Sequence, residues 1–372
     1  MLDRRNSRTQ VKVYFSLPKE YREAATVELK DNIRAAKEKL GRRLCILVHH
    51  YQRLEVVEFA DRLGDSYALA QMAAAQREAE TIVFCGVHFM AESADILTSD
   101  HQHVYLANPL AGCPMADMAE MADVLQAWEY LQPFGGADKI MPVSYINTAA
   151  GLKAFTGRNG GVICTSSNAH LALQYAFDRR EKVFFFPDEN LGLNTGRKMG
   201  LKPEEMIVWD FSRDSGGLTE EQIYRARLIV WKGHCHVHTN FTPEHVAQVR
   251  EKYPEVKVVV HPECVPEVVE LADAAGSTRY IVEYCEQAPS GSVIAIGTEV
   301  NLIHRMAEYH PDKTILQLSG DICPVCANMY RTTLNDLAYC LDHHADIKPV
   351  TVVEPDRGQA LLALERMLEI GR

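Results

Sequence analysis

Apolar and polar stretches alternate along the chain in blocks of strand and helix length. RRLCILVHHYQ is an apolar run closed by polar residues, LEVVEFADRLG and SYALAQMAAAQREAE are helical runs, and TIVFCGVHF is again strand-like. Such alternation predicts α/β architecture, with parallel sheets covered by helices.

The order recurs three times. A strand ends in a polar cluster, a second strand ends in another, and a third element carries a cysteine. The first clusters are HHYQ from His49, YINT from Tyr145 and HPEC from His261. The second are CGVHF from Cys85, CTSSN from Cys164 and GTEVN from Gly297, and the third elements are GCPMAD, GHCHVH and CPVCANM. Three αβα domains are therefore expected, over residues 1–135, 136–250 and 251–344. In parallel α/β sheets ligands collect at the carboxyl ends of strands, so three inward-facing domains would surround one central cavity with polar clusters. A last strand, KPVTVVEP, and the helix ALLALERMLEI, within 345–372, are expected to close back onto the first domain.

Composition narrows the classes. The chain has 372 residues, enough for two or three cores, with 47% hydrophobic and 24% charged residues and no low-complexity tract. The net charge of −11 argues against a nucleic-acid partner, which would need a basic face. MLDRRNSRTQVKVYF lacks the apolar stretch of a leader, and no run is long enough to cross a membrane, so a cytoplasmic location is expected. Ten cysteines in that compartment point to metal binding or catalysis rather than disulfides.

The cysteines divide by context. Cys45 and Cys85 lie in apolar strand runs and Cys340 in a helical one, the surroundings of a buried small hydrophobe. Cys113, Cys235 and Cys326 follow glycine- or proline-containing breaks and have small or polar neighbours. Zinc sites usually offer two close ligand pairs, and only Cys323-Pro-Val-Cys326 forms one. Iron–sulfur clusters accept thiolates from distant parts of a chain, and three ligands leave one iron open as a Lewis acid. Spacing leaves Cys323, Cys326, both, or a disulfide between them as alternatives.

Gly64-Asp65-Ser66, Thr165-Ser166-Ser167-Asn168 and Gly276-Ser277-Thr278 each precede a helical run. Helix starts bind carboxylates and phosphate through hydroxyls and free N–H groups, although ordinary N-capping uses the same residues. His49, Tyr51, His261 and Glu263 stand at strand ends and can move protons. His50, His88, His234, His236 and His238 add nitrogen, without the H-E-x-x-H pattern of a zinc protease.

HHYQRLEVVEFADRLGDS, GCPMADM, SYINT, CTSSNA, PDENLG, WKGHCHVH, VVHPEC, GST, GTEVNLI and CANM occur in that order, and in them the chain resembles the quinolinate synthases of NAD biosynthesis over roughly residues 40 to 370. The resemblance implies three similar αβα domains around a pseudo-threefold axis, with a [4Fe-4S] cluster at the junction. It places the cluster's ligands at Cys113, Cys235 and Cys326 and leaves Cys323 as a neighbour. It places substrate contacts at His49, Ser66, Tyr145, Ile146, Asn147, Ser166, His261, Pro262, Glu263 and Thr278, with Glu263, His261, Tyr145 and Tyr51 as proton-transfer candidates. DFSRDSGGLTEEQIYRARLIV, near 209–230, looks like an insertion relative to shorter members.

The activity so implied is a transferase reaction, in which iminoaspartate condenses with dihydroxyacetone phosphate to give quinolinate, phosphate and water. It also implies transient contact with the enzyme that supplies iminoaspartate. The rivals are a different iron–sulfur (de)hydratase and a non-catalytic zinc or redox protein built on Cys323 and Cys326.

Overall fold

Parallel strands are buried on both faces, and the apolar runs above form three separate all-parallel sheets. The computed structural model describes residues 16–320 and 322–371. MLDRRNSRTQVKVYF lies outside the described residues.

The first sheet contains β1 (Leu44–His49), β2 (Arg62–Gly64), β3 (Thr81–Cys85) and β4 (His103–Leu106), in the order β2-β1-β3-β4. The second contains β5 (Ile140–Tyr145), β6 (Val162–Cys164), β7 (Lys182–Phe186), β8 (Met206–Trp209) and β9 (Leu228–Trp231), in the order β6-β5-β7-β9-β8. The third contains β10 (Lys257–Val260), β11 (Ala274–Ala275), β12 (Val293–Gly297) and β13 (Thr314–Gln317), in the order β11-β10-β12-β13. Helices cover the sheets, so the architecture is three similar αβα units.

Each sheet reverses direction of growth beside its first strand, between β1 and β3, β5 and β7, and β10 and β12. Such a switch point opens a crevice at the carboxyl ends of the strands. His49, Tyr145 and His261 stand at those ends. The segment read as an insertion follows the edge strand β8 and supplies the Glu220–Arg225 helix and most of β9, the strand that pairs β8 to the rest of the five-stranded second sheet.

The strand order regroups one set of motifs. CTSSN follows β6, which occupies the place of β2 and β11, so it corresponds to Gly64-Asp65-Ser66 and Gly276-Ser277-Thr278. PDENLG, after β7, is the true counterpart of CGVHF and GTEVN. The sequence misaligned them because β2 and β11 span only three and two residues, too short to register as apolar runs.

The carboxyl-terminal segment also differs from expectation. KPVTVVEP forms a single antiparallel bridge, Val350 to Val104, in place of a strand. The Asp356–Ile370 helix then buries Ala360, Ala363, Leu364 and Met367 in a core shared by the first and second sheets. It packs on the Ala150–Arg158 helix so tightly that a Cβ at Gly157 would lie 1.8 Å from the Gln359 carbonyl oxygen. It also anchors to the first unit, where Arg357 donates to the Thr98 carbonyl. Apolar periodicity showed that this helix buries a face but not which neighbours receive it.

Candidate active site

A cavity lies where the carboxyl ends of the three sheets converge, lined by residues of all three. At each switch-point strand the chain alternates, so the first and third residues of the polar cluster face inward and the middle one faces away. His49 and Tyr51, Tyr145 and Asn147, and His261 and Glu263 line the cavity. Ile146 is buried in the core and does not line it. Nor does Pro262, whose carbonyl accepts from Asn194 Nδ2 at 2.8 Å.

Two of these clusters share one device. The Tyr51 N–H donates to His49 Nδ1 at 3.1 Å, and the Glu263 N–H donates to His261 Nδ1 at 3.3 Å. A ring nitrogen that accepts carries no proton, so both imidazoles hold theirs on Nε2. His261 Nε2 donates to Ser166 Oγ at 3.2 Å. Burial, with the Arg305 charge at His49 and His238 at His261, pushes both histidines down to about 3. Near neutral pH they are uncharged hydrogen-bond donors.

The three helix starts divide capping from ligand duty. Asp65 caps the Ser66–Ala75 helix by accepting from the Ala68 N–H at 2.9 Å, and Ser277 caps the Thr278–Gln287 helix by accepting from the Tyr280 N–H at 3.3 Å. Asn168 accepts from the Thr165 N–H at 2.7 Å ahead of the Ala169–Phe177 helix. Ser66, Ser166 and Thr278 are thereby spared from capping, and all three line the cavity. Ser167 Oγ donates to Asp65 Oδ2 at 2.8 Å, which ties the second unit to the first.

Cys113, Cys235 and Cys326 line one side of the cavity. Each begins the same short turn: the Asp117, Thr239 and Tyr330 amides donate to the carbonyls of Cys113, Cys235 and Cys326, four residues back in every case, at 3.2, 3.0 and 2.9 Å. The turn also aims the amides of Ala116, His238 and Met329 at the respective sulfurs, favouring thiolate. Burial outweighs this and pushes Cys113 up to about 12, Cys326 up to about 11 and Cys235 well above the ordinary thiol range. A positively charged iron–sulfur core would compensate three such thiolates, so this donor set fits one. Cys323 is exposed and does not line the cavity, whereas Cys45, Cys85 and Cys340 are buried.

The sequence offered His238 only as one of five histidines that add nitrogen and did not name Thr298, yet the two link the other polar groups. His238 Nδ1 is 2.8 Å from Glu263 Oε2, and its Nε2 is 3.0 Å from Thr298 Oγ1. Tyr145 Oη donates to Glu263 Oε1 at 2.5 Å. Tyr51 Oη is 2.7 Å from Thr298 Oγ1 and accepts from Thr278 Oγ1 at 3.0 Å. His238 stacks on His261 with ring centroids 4.3 Å apart. Burial raises the Glu263 carboxyl, but His261, His238 and Tyr145 outweigh it and bring it down to about 2. The legible signal was spacing, since His238 stands three residues after Cys235 on one helical turn. Donor atoms of Cys235, His238 and Glu263 lie within 4.8 Å of one another and could also hold a metal ion. The hydrogen bonds already made by His238 and Glu263 compete with that use.

Asn147 Oδ1 is buried and has no hydrogen-bond partner. A buried acceptor left unpaired is costly, and a ligand N–H or O–H in the cavity would satisfy it.

Three αβα units that enclose a cavity lined by three cysteines and by neutral hydrogen-bonding groups have the layout of a multidomain α/β enzyme with a candidate metal site. The family model described as Quinolinate synthetase A protein matches residues 31–369. The chain is 49% identical over 355 residues to the quinolinate synthase of Lysinibacillus sphaericus (strain C3-41), covering 95% of this chain and 96% of that relative. It is 49% identical over 356 residues to the quinolinate synthase of Halalkalibacterium halodurans, with the same coverage. It is 51% identical over 343 residues to that of Streptomyces coelicolor, covering 91% of this chain and 87% of the relative. The chain belongs to the quinolinate synthase family.

Proposed function

We propose that this chain condenses iminoaspartate with dihydroxyacetone phosphate to form quinolinate, releasing phosphate and water, as a cytoplasmic step of NAD biosynthesis. The observation that carries this reading is the meeting of Cys113, Cys235 and Cys326 with the helix-start hydroxyls of Ser66, Ser166 and Thr278, none of which caps its helix, in one cavity. Cys113, Cys235 and Cys326 would hold a [4Fe-4S] cluster, which when bound supplies an open iron as a Lewis acid for carbon–oxygen cleavage.

The chain's own residues do the rest. His49 donates from its neutral Nε2–H and Ser66 and Ser166 donate hydroxyls, with His261 donating to Ser166 Oγ and Thr278 to Tyr51 Oη beside them, so carboxylates and phosphate are held without lysine or arginine in the lining among the described residues. Asn147 Oδ1 accepts from the imine or enamine nitrogen. Tyr145, Glu263, His238, Thr298 and Tyr51 form an unbroken hydrogen-bonded chain, along which a proton taken at one tyrosine can be released at the other.

The test is anaerobic purification with iron, sulfide and zinc analysis, followed by turnover with both substrates. The expected result is about four irons and four sulfides per chain, with quinolinate and phosphate appearing together. Another iron–sulfur hydratase would release no phosphate. Stoichiometric zinc without sulfide would overturn the cluster and favour the Cys235, His238 and Glu263 donor set.

A further inference from the structure

Among the described residues no lysine or arginine lines the central cavity, whereas Asp65 and Glu263 do. A ligand bearing two negative charges therefore meets neutral donors and two acidic groups. The compensating positive charge lies one layer behind the lining, in two fully enclosed cations.

Arg305, on the Val300–Tyr309 helix, is 2% exposed. One terminal nitrogen donates to the His50 carbonyl at 3.0 Å and the other to His50 Nδ1 at 2.7 Å, directly behind the cavity residue His49. Its Nε is buried without a partner. Lys153, on the Ala150–Arg158 helix, is 0% exposed; it donates to the Thr148 carbonyl and sits 5.5 Å from the ring centroid of Phe89, which lines the cavity. Among the described residues every hydrogen-bond partner of these two cations is neutral. Glu92 acts on Lys153 and Glu299 on Arg305 from a distance, without a direct ion pair, and an apolar residue of similar size would avoid burying either cation. Those carboxyl groups do not hydrogen-bond either cation, and at low dielectric a fixed charge acts across a layer of side chains.

We propose that Arg305 and Lys153 are positioning residues which set the cavity's positive potential from behind its lining and so select a doubly charged carboxylate ligand over a singly charged one. This rests on the dicarboxylate chemistry proposed above. The neutral donors in the lining each serve one ligand group. The buried cations act on the ligand's whole charge, so their loss weakens a dianion more than a monoanion.

The experiment measures dissociation constants of pyridine-2,3-dicarboxylate and pyridine-2-carboxylate for the anaerobic holoenzyme by calorimetry. Wild type, Arg305→Met, Arg305→Lys and Lys153→Met are compared. In Arg305→Met the preference for the dicarboxylate should fall on the order of tenfold, and Arg305→Lys, which keeps the charge, should retain most of it. Equal weakening of both acids, or the same loss of preference in Arg305→Lys as in Arg305→Met, would mean a packing role and overturn the proposal. If Arg305→Met fails to fold, an unchanged preference in Lys153→Met overturns it instead. A wild type that binds neither acid removes the dicarboxylate reading itself, and this inference with it.

Discussion

Tyr145 Oη lies 2.5 Å from Glu263 Oε1, a contact that joins the end of β5 in the second unit to the end of β10 in the third. Glu263 accepts from His238 on its other oxygen, so one buried carboxylate orients two proton-bearing groups that face the cavity.

Replacing that carboxylate by an amide keeps its shape and removes its charge. Glu263→Gln is expected to retain the wild-type iron and sulfide content. Its kcat should fall by about 10²–10⁴, the usual contribution of a positioned acid or base. Steady-state quinolinate formation beside metal analysis checks both halves, and full activity would exclude Glu263 from proton transfer.

Cys113→Ala, Cys235→Ala and Cys326→Ala should each lose most of their iron and sulfide, whereas exposed Cys323→Ala should keep both. Visible absorbance after anaerobic reconstitution separates the cases. Loss of the chromophore in Cys323→Ala, with retention in Cys326→Ala, would exchange the two assignments.

Thr278 Oγ1 donates to Tyr51 Oη and lines the cavity. Thr278→Val keeps the shape and deletes the hydroxyl. Losing a neutral hydrogen bond of this kind costs about 0.5–1.5 kcal/mol, so with Tyr51 released kcat should fall roughly 2- to 10-fold. A parallel fall in cluster content would instead mean a structural role.

Burial holds His49 down at about 3, far below the ordinary histidine value of 6.5. The folded state therefore binds fewer protons than the unfolded chain between those values. Its stability is fully expressed above about pH 6.5 and declines as pH falls toward 3, by up to about 1.4 kcal/mol per pH unit. Urea midpoints at pH 7.5 and 5.5 should differ less in His49→Gln than in wild type. An identical difference in both would contradict the buried neutral state.

Gly157→Ala drives a Cβ against the Gln359 carbonyl and should destabilise by roughly 1–3 kcal/mol or more, the range for overpacking. A drop in the urea midpoint checks it, and an unchanged midpoint would mean that the carboxyl-terminal helix is free to shift.

Much was legible in the chain because it is local. Continuous apolar runs such as LCILV and TIVFC read as strands covered on both faces, and Asp65 and Ser277 mark helix starts that their capping bonds bear out. Glycine- and proline-containing breaks set Cys113, Cys235 and Cys326 apart from Cys45, Cys85 and Cys340. Tertiary structure decided what depends on long-range closure. The very short β2 and β11 are strands only because β1 and β10 pair with them, so the matching of CTSSN with the other helix starts could not be read beforehand. The choice of Cys326 over Cys323 for the cavity, the joining of His238 to Glu263, and the placing of Arg305 behind His49 all bring together residues from separate elements. Sequence spacing determines which side chains share a turn or a strand end; only packing of the three units determines which of them meet.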